Sequence, residues 1–254
     1  MGHLFIRESE GIFHSSVSCV HEHYAACLPF IKSLPKRFDQ NEGEVIYKGR
    51  NELREFHYNG HDLIVKSFRK PILINQIVYG LIRSSKAQRS FEYAEMFLKA
   101  GIHTPQPVGY YTERSNFLFT RSYYVSLKSE CPFIFRDIKN REFPRHEEIV
   151  KAVAETTAKM HEKGFLHKDY SDSNILFRDD REQIQVEVID LNRMAFQQID
   201  ERTGCKNFER LFCTEEMLSV LADVYAHQRG FDPAACFKYM KIYTERWKKK
   251  KGRI

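Results

Sequence analysis

The segment HKDYSDSNIL (167–176) places side chains that can act on protons and cations directly ahead of an apolar run. A second β-like run, VEVIDL (186–191), follows after a short turn and carries Asp190 near its end. Asp169 and Asn174 lie on the loop that enters this two-stranded unit, so three oxygen-bearing side chains could surround one point. Mg²⁺ prefers oxygen ligands and needs only one or two carboxylates together with phosphate oxygens. The pattern therefore predicts a magnesium site beside a loop aspartate.

A lysine that could hold phosphates lies upstream. The stretch DLIVKSF places Lys66 at the end of an apolar β run, and a predicted helix downstream carries a glutamate that could pair with it. Phosphoryl transfer from ATP uses such a lysine, a carboxylate that orients the acceptor, and an Asn and an Asp that hold the metal. The alternatives are that Asp and Asn only form a turn and that the lysine guards a sheet edge. The combination favours phosphoryl transfer.

The elements that must position these residues differ between the two halves of the chain. The strands predicted in the first half lie at 45–47, 53–58 and 63–65. Asn59-Gly60 is a tight hairpin signal between the last two. A helix is predicted over 84–100, where apolar residues share one face and Gly101 ends the pattern. The segment 117–127 is again rich in β-forming residues, so this half is expected to be mostly β.

The second half is expected to be mostly helical. The segment 145–164 has the spacing of an amphipathic helix that ends at Gly164, and 214–247 has a helical pattern as well. The change falls near the polar, proline-marked stretch 127–144. The resulting division is an N-terminal extension (1–40), a β-rich lobe (41–127) and a mainly helical lobe (128–254).

Composition and charge limit the classes of protein. The 254 residues are 42% hydrophobic, which is enough to bury a sizeable core, and no run of about eighteen apolar residues predicts a transmembrane helix. Lys248–Lys251 and Arg253 supply five charges of a net +6, which leaves the remainder near +1. This basic tail is expected to be a solvated helix end, with attraction to an anionic membrane or substrate as the alternative. Nucleic acid is not expected, because aromatic residues do not alternate with the basic ones.

The cysteines favour a reduced, structural role. There are six, at 19, 27, 131, 205, 213 and 236, and none forms a CxxC pair. Without an export signal, buried thiols are expected. One cluster leaves an alternative open, since Cys19, His21, His23 and Cys27 are four possible metal ligands. Their spacing matches no familiar zinc pattern.

Three motifs resemble parts of the protein-kinase superfamily. HKDYSDSNILF resembles its catalytic loop, His-x-Asp-x-x-x-x-Asn; IDLN resembles its metal-binding element; and IVK resembles its strand lysine. The chain is most similar to the lipopolysaccharide core kinase family, whose bacterial members phosphorylate Kdo or heptose sugars. The stretches that carry this resemblance are SKAQRSFEYAEMFLKAGIHTPQPVGY, HKDYSDSNILF, VIDLNRM and CKNFERL. It covers about residues 44–212 and implies an α+β, protein-kinase-like, two-lobed fold with a small β-rich N-lobe and a mainly helical C-lobe.

The resemblance implies roles for the residues of the helical lobe. Asp169 would be the catalytic base or the carboxylate that orients the acceptor. Asn174 and Asp190 would hold Mg²⁺, and His167 would brace the loop. These assignments place the catalytic loop and the metal site in residues 128–254.

The β-rich lobe, by the same resemblance, would bind ATP. Lys66 would contact the phosphates and pair with Glu92, for which Glu95 is the competitor because it lies on nearly the same helix face. Tyr124 and Val125 would lie near the adenine-binding hinge.

The chain departs from the protein-kinase pattern at three points. The glycine-rich phosphate loop is absent, and only Gly49, followed by Arg50, is available to cover phosphates; a plain turn is the alternative. Ser171 stands where protein kinases usually carry lysine, and no Ala-Pro-Glu follows IDLN. The missing lysine at this position and the missing Ala-Pro-Glu favour a small or glycan acceptor over a protein.

The resulting expectation is an ATP- and Mg²⁺-dependent kinase for a Kdo or heptose hydroxyl, cytoplasmic and peripheral at the inner membrane face. The alternatives are a protein kinase or small-metabolite phosphotransferase of the same fold, and a non-catalytic nucleotide-binding scaffold. Asp172 is expected to be a solvated loop residue, with substrate contact as the alternative, and His161 to lie on a helix surface. Trp247 is expected to anchor the last helix by packing, with a membrane anchor as the alternative.

Overall fold

The protein is described here by a computed structural model. It describes residues 2–9, 14–69, 84–115, 118–139, 142–180 and 182–252. The chain divides into two compact units, the first made of Met1–Met96 with Pro105–Ser129 and the second of Phe97–Thr104 with Glu130–Ile254.

The first unit is built on an antiparallel sheet whose strands do not lie in chain order. Its strands are β1 (His3–Ser9), β2 (His14–His21), β3 (Glu44–Lys48), β4 (Glu52–Tyr58), β5 (His61–Ser67), β6 (Pro107–Ser115) and β7 (Leu118–Leu127). Among the described residues these seven strands lie in the order β1-β2-β6-β7-β5-β4-β3. The helices are a short 3₁₀ helix (Glu22–Cys27) and α1 (Leu28–Asp39), while α2 (Lys86–Lys99) contributes residues to both units.

The hairpin of β4 and β5 confirms the turn prediction. Asn59 and Gly60 have φ angles of 50° and 76°, the left-handed conformations that a two-residue hairpin turn requires and that Asn and Gly tolerate. The turn fixes the register so that Lys66 pairs with Leu53 on one side and with Tyr124 of β7 on the other. The three predicted strands and the helix predicted over 84–100 are confirmed by β3, β4, β5 and α2.

The first forty residues contribute to the sheet and to the core of this unit. Helix α1 buries Phe30, Ile31 and Leu34 against apolar residues of β4 to β7. Strand β2 pairs with β6 along its length. The two strands approach so closely at Gly109 that a Cβ added there would lie 2.3 Å from the Cys19 carbonyl oxygen. The domain boundaries drawn from the sequence at 40 and 127 stay a prediction, but by contacts the segment 1–40 groups with the first unit.

The second unit combines small sheets with helices. Its strands are β8 (Phe133–Ile134), β9 (Phe165–His167), β10 (Ile175–Asp179), β11 (Ile184–Val188) and β12 (Met194–Phe196). Its helices are a 3₁₀ turn (Phe135–Lys139), α3 (His146–Glu162), α4 (Glu201–Asn207), a 3₁₀ turn (Phe208–Arg210), α5 (Glu215–Arg229) and α6 (Pro233–Lys250). Strands β10 and β11 form the predicted hairpin, and β12 pairs with β9.

Local signals explain where these helices begin and end. Helix α3 stops just before Gly164, which has φ 76°. The side chains of Thr214 and Asp232 accept hydrogen bonds from backbone N–H groups at the start of α5 and α6, which satisfies donors that a helix leaves open. Gly230, with φ 68°, ends α5 in the left-handed conformation typical of a helix C-terminus. The predicted helices over 145–164 and 214–247 are confirmed.

Candidate functional site

His167 joins the catalytic loop to the segment that carries Asp190. Its imidazole is fully buried at the end of β9. Nδ1 accepts a hydrogen bond from the Asp169 backbone N–H at 3.1 Å, so Nε2 carries the ring proton and donates to the Ile189 carbonyl at 3.1 Å. Burial lowers the pKa of His167, which keeps the ring neutral and this tautomer fixed. The bracing role expected of His167 agrees with these contacts.

Asp169 is met by two arginines. One carboxylate oxygen, Oδ1, accepts a hydrogen bond from Arg210, and Oδ2 lies 3.4 Å from Nη1 of Arg193. Burial alone would raise the pKa of Asp169, but the two guanidinium groups outweigh it and hold that pKa below its ordinary value. The carboxylate is therefore ionised at neutral pH. Neither arginine was predicted as a site residue from the sequence, although VIDLNRM and CKNFERL contain them.

Asn174 is oriented by the same loop. Its Nδ2 donates to the Asp169 carbonyl at 2.9 Å, and its backbone N–H donates to the Ser171 carbonyl at 2.9 Å. The Asn174 carbonyl in turn accepts from the backbone N–H of Ile189 at 2.9 Å. Since the amide nitrogen is engaged, the side-chain oxygen is the atom that a cation would bind. The second unit thus links Asp169 and Asn174 directly and reaches the residue before Asp190.

Asp190 follows the end of β11 in a left-handed conformation. Its φ is 62°, which is uncommon for residues other than glycine but tolerated by Asp and Asn. Asn192, which is itself buried, donates from Nδ2 to Asp190 Oδ1. This contact orients a carboxylate that, with the Asn174 amide oxygen, offers two hard oxygen donors. The set suits Mg²⁺, which takes one or two carboxylates and completes its shell with water and phosphate oxygens.

Asp172 is buried, so the expectation of a solvated loop residue is wrong. Its side chain is 2% exposed and receives two bonds from Arg136, at 2.8 Å and 3.2 Å, and one from Lys139 at 3.1 Å. Lys139 also donates to the Leu211 carbonyl at 2.9 Å. A buried carboxylate persists only with such partners, and these partners lie more than thirty residues away in the chain. Asp172 anchors the middle of the loop.

His161 is also buried, which corrects its expected place on a helix surface. Its Nδ1 lies 2.9 Å from the Tyr225 hydroxyl, and its Nε2 lies 3.0 Å from Oδ1 of Asn207. Asn207 then donates through Nδ2 to the His167 carbonyl at 3.0 Å. Burial lowers the pKa of His161 to about 4. A hydrogen-bonded chain therefore runs from α5 through α3 and α4 to the catalytic loop.

In the first unit, Lys66 lies on the central part of the sheet. It is on β5 beside Tyr124 of β7, and its ammonium group lies 5.4 Å from the centre of the Phe68 ring. Val125 is completely buried in the core of this unit. A contact of Val125 with a nucleotide would therefore have to be made by its backbone. The predicted ATP-side residues Lys66, Tyr124 and Val125 thus share two adjacent strands.

Glu92 and Glu95 differ in their surroundings on α2. Glu92 is exposed and accepts a hydrogen bond from Gln88, one turn earlier on the same helix, at 2.8 Å. Glu95 is 17% exposed and lies 2.6 Å from Nε2 of His3 on β1. Burial and, after it, the charge of Glu95 raise the pKa of Tyr124, the residue paired with Lys66. The charge of Glu92 acts on Tyr110 of β6, whereas the charge of Glu95 acts on Tyr124, the residue paired with Lys66.

Gly49 and Arg50 form an exposed bend between β3 and β4. The Gly49 N–H donates to the Asn51 carbonyl at 3.0 Å. Arg50 is exposed, as is every residue of β3. The geometry is that of a turn, and the suggestion that this bend covers phosphates stays a prediction.

The basic end of α6 is fixed by packing. The Trp247 ring meets Phe212 edge to face at 4.8 Å between ring centres, and Lys139 lies 4.8 Å from the centre of the same Phe212 ring. Trp247 thus packs on protein, as expected. Lys248, Lys249 and Lys250 occupy the last turn of this helix, where cations complement the helix dipole. Arg253 lies outside the described residues.

The cysteine and metal expectations have different outcomes. All six cysteines are free and buried, which confirms the expectation of buried thiols. In the part of the chain that the structure describes, no group of three or more His, Cys, Asp or Glu side chains could hold a metal ion. The zinc-like alternative for Cys19, His21, His23 and Cys27 therefore has no support. Among the described helices, none is long and apolar enough to cross a membrane.

A sheet-rich unit, a helical unit and a His-x-Asp-x-x-x-x-Asn loop define a protein-kinase-like α+β protein. The sequence model of the lipopolysaccharide kinase (Kdo/WaaP) family matches residues 40–231, and the chain belongs to this family. It is therefore a kinase, and kinases of this family are expected to use ATP. No curated protein sequence matches the chain.

Two solved structures are similar to this chain. WaaP in complex with acyl carrier protein is 18% identical, has a TM-score of 0.61, and matches over 90% of this chain and 98% of that one. The Rio2 kinase complex with ADP, Mg²⁺ and phosphoaspartate from Chaetomium thermophilum is 13% identical, with a TM-score of 0.48 over 97% of this chain and 82% of that one. At 18% identity the first likeness shows the fold alone.

Proposed function

We propose that the protein transfers the γ-phosphoryl group of ATP to a Kdo or heptose hydroxyl of the lipopolysaccharide inner core. The observation that carries this proposal is the construction of the catalytic loop. His167 and Asn174 hold the backbone of Asp169 from both sides, and the same two residues bind the backbone of Ile189, next to Asp190. Phosphoryl transfer depends on such positioning, because the reaction needs little covalent help from the protein.

Asp169 orients the acceptor hydroxyl. Because Arg193 and Arg210 keep the pKa of its carboxyl low, Asp169 is a weak base that takes up the hydroxyl proton only as the new O–P bond forms and the bond to ADP breaks. Lys66 holds the phosphates of ATP. Low basicity suits a reaction in which the acceptor loses its proton late.

Asn174 and Asp190 are the residues that would hold Mg²⁺. Hydrogen bonding commits the Asn174 amide nitrogen and leaves its oxygen for a cation, and Asn192 orients the Asp190 carboxylate. When bound, the cation neutralises charge on the ATP phosphates. The protein's own contribution is to keep these two oxygen donors in fixed directions.

Glu95, in place of Glu92, is proposed as the partner of Lys66. The support is that Glu95 is the less exposed of the two and acts on Tyr124, which lies directly across from Lys66. Glu92 is the more exposed of the two, and its charge is not among the causes that shift the pKa of Tyr124. A lysine that must hold phosphates needs a partner on the sheet side of the helix.

The lysines at the end of α6 are proposed to attract the protein to the anionic inner face of the cytoplasmic membrane, where a lipid-linked acceptor would be found. Trp247 fixes this helix end on Phe212, so Lys248–Lys250 project from an ordered helical turn. Each basic residue near such a surface contributes about 1 kcal/mol. The attraction would be lost at high salt.

Transfer from labelled Mg-ATP tests the proposal. Wild type and Asp169→Asn are each offered Kdo-lipid A, a generic protein or no acceptor. We expect label on the glycolipid with wild type and a loss of about 10²- to 10⁴-fold in the variant, with ATP binding retained. Asp223 lies on α5 with a side chain that is 63% exposed. Asp223→Asn is therefore the matched control and should behave as wild type.

Two outcomes would contradict the proposal. Label on protein alone would make the chain a protein kinase of this fold. Full activity of Asp169→Asn on the glycolipid would remove Asp169 from the reaction, even if the acceptor class were correct.

A further inference from the structure

Two arginines from outside the catalytic loop contact the Asp169 carboxylate. Arg193 and Arg210 each contact the Asp169 carboxylate through a single Nη1 atom, and the charge of the neighbouring Glu209 also acts on Arg210. Their side chains are 59% and 33% exposed. An arginine has five N–H donors in a fixed fork, and in the described structure most of those donors are not used on Asp169. The base therefore lies within a site that retains capacity for an anion.

Both arginines extend from backbone that is held in place. The Arg193 carbonyl accepts a hydrogen bond from the Lys168 N–H at 2.8 Å, next to the pairing of β12 with β9. Arg210 ends a 3₁₀ turn whose neighbour Leu211 is buried and bonded through its carbonyl to Lys139. Neither arginine is on a loose loop. Two guanidinium groups that extend from fixed backbone positions are suited to bidentate recognition of a carboxylate or phosphate.

We propose that Arg193 and Arg210 select an acceptor sugar that carries an acidic group close to the hydroxyl that is phosphorylated. This inference rests on the proposed function and narrows its acceptor to a sugar acid or a phosphorylated sugar, in preference to a neutral one. The positive charge of this site is supplied by two residues that contact Asp169 from outside the catalytic loop.

The test compares acceptors that differ in one charge. Wild type, Arg193→Met and Arg210→Met are given a Kdo glycolipid with a free carboxylate, its carboxyl methyl ester, a neutral heptosyl glycoside and the monophosphate of that glycoside. Values of kcat and KM are measured for acceptor and for ATP, with thermal unfolding as a check that each variant folds. Arg202→Met, on α4 and bonded to Tyr239, is the matched control and should keep wild-type values.

We expect wild type to lose about 10- to 100-fold in kcat/KM between the free acid and its ester, the size of a hydrogen-bonded charge contact. In either variant this ratio should fall toward one, and Arg193→Lys or Arg210→Lys should retain part of it. Because loss of Arg210 also changes the setting of Asp169, the ratio between acceptors is the informative value. A preference for the heptosyl monophosphate over the neutral glycoside, without one for the Kdo acid, would identify phosphate as the acidic group.

Three results would overturn the inference. The first is that wild type has the same kcat/KM for the free acid and its methyl ester. The second is that both variants lower kcat/KM for all acceptors by one common factor, and the third is that the variants raise only the KM for ATP. Each leaves the sugar-kinase activity intact. If wild type phosphorylates none of the glycolipids, the proposed function itself fails, and this inference fails with it.

Discussion

The catalytic loop and the bend after β3 are two expected parts of one reaction, and they are held in opposite ways. In the loop, His167, Asp172 and Asn174 are each bonded to more than one partner, and most of those partners are buried or distant in the chain. At the bend, Gly49 makes one short-range backbone bond and Arg50 is exposed. The loop is specified by the fold, whereas the bend depends on local chain conformation.

This difference shows where the chain defines geometry before any ligand binds. Buried polar groups that are fully bonded fix one arrangement, and they become costly if a partner is removed. An exposed bend costs little to change and can adapt to phosphates. Substitutions in the two regions should therefore have different effects. Those around the loop should change stability and turnover, and those at the bend should change nucleotide affinity alone.

The largest effect on stability is expected when the pH falls through the range in which His161 takes up a proton. Its pKa is lowered to about 4 by burial, while an unfolded histidine titrates near 6.5. Between these values the unfolded chain binds a proton that the folded chain does not, so the free energy of unfolding falls as the pH drops from about 6.5 to 4, by about 3 kcal/mol. His161→Gln, which does not titrate, should lack this part of the slope.

Urea unfolding of both proteins at about pH 7 and pH 4.5 measures that slope. The comparison removes contributions common to the two proteins, including those of His167 and the carboxylates. Equal slopes would show that His161 does not titrate as a buried group, and the hydrogen-bonded chain to Asn207 would then not be intact in solution.

A smaller effect is expected at Asp172. Asp172→Asn removes the charge that Arg136 and Lys139 share, and a hydrogen bond to a charged group contributes about 1.5–3 kcal/mol. We expect a loss of that size in stability together with a lower kcat, because the loop that positions Asp169 loosens. The KM for ATP should change little. Chemical unfolding and steady-state kinetics, with Asp223→Asn as the exposed control, measure both; a variant as stable as the control would contradict the bracing role.

The smallest effect on stability is expected at the bend. Arg50→Ala should change the free energy of unfolding by less than about 0.5 kcal/mol, as exposed positions usually do. If the bend covers phosphates, the KM for ATP should rise by about 10-fold, the size of one contact to a charged group, with kcat retained. Arg7→Ala, an exposed arginine on β1 in the same unit, is the control. An unchanged KM for ATP would show that the bend is a plain turn that does not contact phosphates.

The sequence predicted elements whose signals are local. Asn59-Gly60 determined a hairpin because both residues tolerate a positive φ, and Gly164 marked the end of α3 for the same reason. The catalytic-loop spacing located Asp169 and Asn174 on one loop. Each of these inferences needed only residues within about twenty positions of one another.

The sequence could not predict contacts between distant segments. Asp172 and His161 were expected at the surface because polar side chains usually lie there, and their burial depends on Arg136, Lys139, Asn207 and Tyr225. The pairing of β2 with β6, which brings the first forty residues into the sheet, is also long-range. The arginines on Asp169 were overlooked for the same reason: an arginine in a short motif gives no sign of the carboxylate it will meet.

The left-handed backbone at Asp190 has a consequence for how this position can change over evolutionary time. Most residues with a Cβ would strain the chain at φ 62°, while Asn, Asp and Gly are tolerated. A descendant that drifted away from catalysis but still needed to fold would thus be confined to these few residues. The need for a residue that tolerates a positive φ would remain after the need for a carboxylate had gone. An Asn or Gly at this position would therefore mark lost activity in a chain that remains stable.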